Sequence, residues 1–250
     1  KLYSEGLSIA TPLNNKYQIA ALEALRFGIE QYDRRHGWRG VIGNTKSDEN
    51  WKNKVKNINL DKTLNWEIAE VIEIEATILK IRIIQKEIVE NLFFNKLEWT
   101  RSKNFNDLFN IGDLIFVKKV DNSWALKQMP KVNGGIVVMN PYNGKVKALV
   151  GGYSFESSEF NRVTQAKRQP GSAFKPIVYA AALENGFLPN SLILDAPFVS
   201  EQGVGLKNWK PENYGKKFYG PSTLRKGIEK SRNLMTVRIA QSLGFEKISK

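Results

Sequence analysis

The sequence predicts an α+β protein in which a small β-rich barrel is inserted next to a domain of alternating loops and helices. Three observations lead there. Residues 15–35 carry a single helical apolar stripe. Residues 66–130 are dense in β-branched and aromatic side chains separated by turn chemistry. From Gly134 a hairpin pattern is followed by helix-period segments.

Residues 6–11 read as a short strand ending at Pro12. Ile19, Leu22, Leu25 and Ile29 recur every three or four positions, which predicts a helix from Asn15 to about Arg35 with Gly37 as its stop. Residues 44–65 are rich in Asn and Lys without periodicity and read as an irregular linker. Ile68, Val71 and Ile74, then Ile78, Ile81, Ile83 and Ile84, suggest successive strands over 66–94, although interspersed Glu and Lys leave a helix open for part of it. Gly112–Val120 and Trp124–Met129 flank Asp121-Asn-Ser, a hairpin signature. So many short strands in so little chain predict a small barrel or sandwich. Ile136–Met139 and Lys145–Val150 form a second hairpin around Asn140-Pro-Tyr-Asn-Gly144. Helices are expected over about 173–185, 223–230 and 233–243, the first and last stopped by Gly186 and Gly244.

Composition narrows the chemistry. The chain has no cysteine, which excludes disulfides, thiol catalysis and zinc–thiolate sites. Its single histidine, His36, argues against a histidine metal cluster and reads as a basic side chain near helix-terminal carbonyls. No metal or cofactor is expected, and any nucleophile needs a base other than histidine. Of the net charge of +13, residues 133–250 hold the largest share, with 17 basic and 8 acidic side chains. These are scattered rather than clustered with aromatics, so they read as solvated surface. Residues 44–132, with 15 basic and 13 acidic side chains, lack the charge of a nucleic-acid groove, and no nucleic-acid partner is expected. No apolar run approaches the roughly 18 residues of a membrane span.

The stretch that carries chemistry is Arg168-Gln-Pro-Gly-Ser172-Ala-Phe-Lys175. Ser172 falls where a helix starts, and Lys175, three residues on, shares its face. A serine hydroxyl needs a neighbour to take its proton, and a lysine does so once burial lowers its pKa. The helix start offers N–H groups to a developing oxyanion. The same spacing also suits a helix cap followed by a surface lysine. Ser231-Arg-Asn233, 59 residues after Ser172, places a hydroxyl and a carboxamide at a junction between two helices. They can point into one cleft, or can simply cap the helix starting near Leu234.

Ser172-Ala-Phe-Lys175 and Ser231-Arg-Asn233 resemble the first two motifs of penicillin-binding proteins. The surrounding text is similar to that of bifunctional, class A members of the 1A type. Gly151-Gly-Tyr-Ser-Phe155, Phe160-Asn-Arg162 and Gln165–Gln169 resemble the approach to their transpeptidase serine. Trp209-Lys-Pro-Glu-Asn-Tyr214 and Gly220–Gly227 resemble the stretch between the motifs, and Tyr32–Gly40 the linker after their glycosyltransferase domain. The resemblance implies three regions: 1–43, linker strand and helix; 44–132, an OB-like insert; and 133–250, the N-terminal part of a penicillin-binding/β-lactamase-like transpeptidase domain. It implies Ser172 as acylated nucleophile, Lys175 as base, Ser231 as proton relay and Asn233 as substrate contact. The partners implied are peptidoglycan stem peptides ending in D-Ala-D-Ala, β-lactam antibiotics and, at the OB-like insert, an outer-membrane lipoprotein activator. The implied location is the periplasmic side of the inner membrane, reached through an anchor outside this sequence. No Lys-Thr-Gly, the family's third motif, occurs in the 250 residues. The chain is therefore expected to be a truncated piece and inactive alone. Arg232 departs from the usual Asp between serine and asparagine, and its side chain is expected to be the least demanding of the three. The alternatives are a penicillin-sensing domain that is acylated without turnover, and an OB-fold binding module.

Overall fold

The computed structural model describes residue 6 and residues 8–93, 97–201, 203 and 205–249. Leu7 of the expected first strand, Phe94 at the end of the β-rich run, and the terminal residues Lys1–Glu5 and Lys250 lie outside them. The chain divides into two compact units, Lys1–Ala166 and Lys167–Lys250.

In the first unit, the strand expected over 6–11 is not found: residues 8–13 are irregular and exposed. They bury no apolar face, and Pro12 has no N–H to give to a ladder. Helix α1, Asn15–Arg34, starts where the Asn14 carboxamide accepts from the Tyr17 N–H (3.2 Å). Its buried face holds Ala21, Ile29 and Asp33, flanked by Leu22 and Leu25. Ile19 lies off that face, 59% exposed. The place that the apolar stripe assigned to it is taken by Gln18, whose carboxamide donates to the Leu149 carbonyl and accepts from its N–H, both at 2.9 Å. A polar side chain is tolerated there because it completes a strand's backbone bonding. Gly37, with φ of 84°, ends the segment as expected.

Residues 44–65 are more ordered than their composition suggests. Strand β1, Gly43–Asn44, leads into helix α2, Trp51–Asn57, and a 3-10 turn over Lys62–Leu64. Local side-chain bonds supply the order. The Asn44 Oδ1 accepts from the N–H groups of Lys46 (2.8 Å) and Ser47 (3.1 Å), and Asp61 accepts from the Thr63 N–H (2.8 Å) and from Arg26 (2.8 Å).

The β-rich stretch forms the strands β2 Trp66–Ile74, β3 Ile78–Ile83, β4 Ile88–Phe93, β5 Asp113–Val120 and β6 Ser123–Lys127, with 3-10 turns at Glu98–Thr100 and Phe105–Asp107 between β4 and β5. All pairings are antiparallel. The sheet runs β1-β5-β2-β3-β4, with β6 also on β5. Strand β5 pairs with β2 along one edge, and with β1 and then β6 along the other. β4 comes close to β6, so the sheet curls around a core in which Val71, Leu79, Ile81, Ile83, Ile115 and Val117 are fully buried. The β5–β6 hairpin turns at Asp121, whose φ of 53° suits a tight turn. Strands β7, Ile136–Met139, and β8, Val146–Val150, pair as expected, and Ala148 and Val150 pack with Ala21 of α1.

The second unit is mainly helical. A 3-10 turn over Gly171–Phe174 leads into α3, Lys175–Glu184, so the helix expected from 173 begins two residues later. Helices α4, Leu224–Glu229, and α5, Asn233–Leu243, match expectation, and α6, Phe245–Ser249, follows. A two-stranded sheet of β9, Leu192–Asp195, and β10, Gly220–Thr223, was not foreseen. Val178, Tyr179 and Ala182 of α3 meet Leu224 of α4 and Ile239 of α5 in the core. Each large aliphatic side chain buried there contributes about 1.5–3 kcal/mol. Among the described residues no helix is long and apolar enough to cross a membrane, and none of them group as a metal-binding cluster.

Candidate active site

The candidate residues all lie in the second unit, on two helix starts. Ser172 sits in the 3-10 turn, exposed, and its carbonyl accepts from the Lys175 N–H. Its hydroxyl has no hydrogen-bond partner among the described residues. Lys175 is the first residue of α3, and its side chain is buried, 8% exposed. The ammonium donates to the Ser231 carbonyl (2.6 Å), the Ser231 Oγ (2.9 Å) and the Asn233 Oδ1 (2.6 Å). All three N–H donors are thereby used, and every acceptor is neutral. Burial lowers the lysine's pKa below its ordinary 10.5, and among the described residues no carboxylate forms an ion pair with it. Three of the four residues singled out from sequence are therefore in direct contact, across 56 and 58 positions. Ser172 precedes them on the adjoining turn.

Ser231 lies in a tight turn between α4 and α5 with φ of 50°. That left-handed conformation is uncommon for serine and costs about 1–3 kcal/mol. It is held by the Ser231 N–H donating to the Ile228 carbonyl (3.0 Å) and the Arg232 N–H donating to that of Gly227 (2.9 Å). The turn lets carbonyl and hydroxyl of one residue both face the lysine.

Neither Ser231 nor Asn233 caps α5. The cap comes from a distance: Asn213 Oδ1 accepts from the N–H groups of Asn233 (2.8 Å) and Leu234 (3.3 Å). The Asn233 side chain is thus free to accept from Lys175 while its Nδ2 donates to the Glu212 carbonyl (2.8 Å). Arg232 is also more than a spacer. It reaches the fully buried Asp195 (3.3 Å) and lies 3.2 Å from the centre of the Tyr219 ring. Asp195, Asn213 and Glu212 carry no local sequence signal for this task, because their partners lie about 20 residues or more away. An apolar cavity of about 300 Å³, lined by Phe174, Val178, Phe198, Trp209 and Phe245, opens in the same unit.

A serine on a helix-entry turn, followed by a buried lysine bonded to a Ser-x-Asn turn, on a helical scaffold that follows a curled β domain in the chain, defines a penicillin-binding class of protein. Residues 134–250 match the model of the penicillin-binding protein transpeptidase domain, and residues 38–132 that of the penicillin-binding protein OB-like domain. The chain is 43% identical over 99% of its length to penicillin-binding protein 1A of Rickettsia typhi, covering 32% of that protein. It is 35% identical over 98% of its length to penicillin-binding protein 1A of Pseudomonas aeruginosa, covering 31% of it. The crystal structure of penicillin-binding protein 1A from Haemophilus influenzae superposes with a TM-score of 0.82 at 32% identity, over 96% of this chain and 36% of that one. The chain belongs to the class A penicillin-binding proteins of the 1A type, and spans the OB-like domain and part of the transpeptidase domain. It spans about a third of the length of the curated relatives it matches.

Proposed function

We propose that the second unit carries the acylation site of a serine D-Ala-D-Ala transpeptidase in peptidoglycan synthesis. The observation that carries this is the buried Lys175 ammonium, held by Ser231 and Asn233 with no carboxylate among the described residues paired to its charge. Such a lysine gives up its proton more readily than a solvated one and, once neutral, accepts the Ser172 proton. The Ser172 Oγ then attacks the carbonyl of the penultimate D-alanine of a stem peptide. The C–N bond breaks, the terminal D-alanine leaves as an amine after taking a proton through Ser231, and an ester to Ser172 remains. The amine of a neighbouring stem peptide attacks that ester, forming the cross-link and releasing the serine. A β-lactam opens its ring on the same hydroxyl. Asn233 orients the substrate amide.

The proposal extends to organisation: residues 44–132 act as the OB-like insert, the docking region for a lipoprotein activator, and residues 133–250 as the acylating part. The location is the periplasmic face of the inner membrane. Treating the intact protein with a labelled penicillin and mapping the adduct by mass spectrometry tests the site. The label should sit on Ser172, and Ser172→Ala should abolish it. An adduct on another residue, or labelling that survives the substitution, refutes the assignment.

A further inference from the structure

The turn that bears Ser231 and Asn233 is built onto a polar network remote in sequence. The Asn213 carboxamide is 6% exposed and has both ends fully occupied. Its Nδ2 donates to Asp195 Oδ1 (2.7 Å) and to the Lys217 carbonyl (2.9 Å). Its Oδ1 accepts from the first two N–H groups of α5. Asp195 is fully buried, and its second oxygen accepts from Arg232 (3.3 Å), the residue between Ser231 and Asn233. The carboxylate can only accept, so it fixes which end of the Asn213 amide faces it and turns the oxygen towards α5. The neighbouring Glu212 carbonyl holds the Asn233 Nδ2. The two consecutive residues Glu212 and Asn213 thus bracket Asn233 at its side chain and its backbone, two positions after Ser231.

Building on the acylation site proposed above, we infer that Asn213, oriented by the Asp195 carboxylate, is a positioning residue that sets where Ser231 and Asn233 meet Lys175. Asn213 touches neither the lysine nor the nucleophile, and its effect passes through the backbone of the Ser231–Asn233 turn. Displacing a catalytic group by about 1 Å costs up to about a hundredfold in rate.

The test measures Ser172 acylation by a labelled penicillin in the intact protein, with thermal stability followed in parallel. Asn213→Ala should slow acylation by about 10–100-fold. Asp195→Ala, which leaves Asn213 in place and takes away the carboxylate that orients it, should slow acylation as well. Ile239→Val removes one buried methylene from the same helix, and should lower stability without slowing acylation. Wild-type rates in Asn213→Ala overturn the inference. So does a wild-type rate in Asp195→Ala, or a loss in Asn213→Ala that Ile239→Val reproduces, since the network would then be general scaffolding. Absence of any Ser172 adduct in the wild type would defeat the acylation reading instead. A crystal structure of Asn213→Ala decides the positioning role independently, and an unmoved Ser231–Asn233 turn overturns it.

Discussion

Lys175 is the residue on which the chemistry turns, and its surroundings decide its charge. Water would solvate an ammonium fully. Here three neutral oxygens replace water, and among the described residues no anion offsets the burial. The folded-state pKa lies below 10.5, so the buried proton opposes folding at every pH below the folded value. That cost fades as pH rises from the folded pKa towards 10.5. The same sign governs reactivity, because only the neutral amine accepts a proton. Penicillin acylation of Ser172 should therefore accelerate with pH and level off below 10.5. Lys175→Ala should slow it by about 10²–10⁴-fold. Stopped-flow labelling across pH measures both. A profile that levels only at the pKa of a free lysine, or one unchanged in Lys175→Ala, removes the lysine from the base role. The spacing of Ser172 and Lys175 was legible in the sequence because neighbours on a helix are local. Ser231-x-Asn233 was legible as a motif, but what holds it was not. Asn213 and Asp195 are ordinary residues until folding brings segments 18–21 positions apart into contact.

Among the elements, those whose apolar period faces a continuous core could be read directly: α1, the β5–β6 hairpin, α3 and α5, whereas interspersed Glu and Lys left β2 and β3 open to a helix in part. Those ordered by side-chain bonds to backbone could not. Helix α2 has only Trp51 and Val55 on one face, and β9 is a four-residue strand defined by its partner β10. Helix α4 shows how closely these elements approach. A Cβ on Gly227 would stand 2.5 Å from the Tyr179 hydroxyl of α3 and 2.8 Å from Met235 Cε of α5. Alanine gains about 1 kcal/mol of helix propensity over glycine, but overpacking against the buried Tyr179 and Met235 costs about 1–3 kcal/mol. Gly227→Ala should thus be net destabilising in urea denaturation, and equal or greater stability would show that α4 can shift outward freely.

At the scale of the whole chain, each compact unit has a core of its own. Ile81 is fully buried among strands of the first, and Ile239 is fully buried between helices of the second. Truncating a buried isoleucine to alanine costs about 2–5 kcal/mol, part of it from the cavity left behind. The loss is felt by groups that share that core, since methylenes act through direct contact. Ile81→Ala should raise amide hydrogen exchange in β2, β3 and β5 while the α3 and α5 amides keep their protection. Ile239→Ala, a far larger truncation than Ile239→Val, should do the converse and slow Ser172 acylation as well, because α5 carries Asn233 at its first position. Exchange measured residue by residue in both variants separates the outcomes. If Ile81→Ala loosened α3 and α5 as much as its own strands, the two cores would be one cooperative unit. The acylation site would then depend on the β domain for its stability as well as on its own helices.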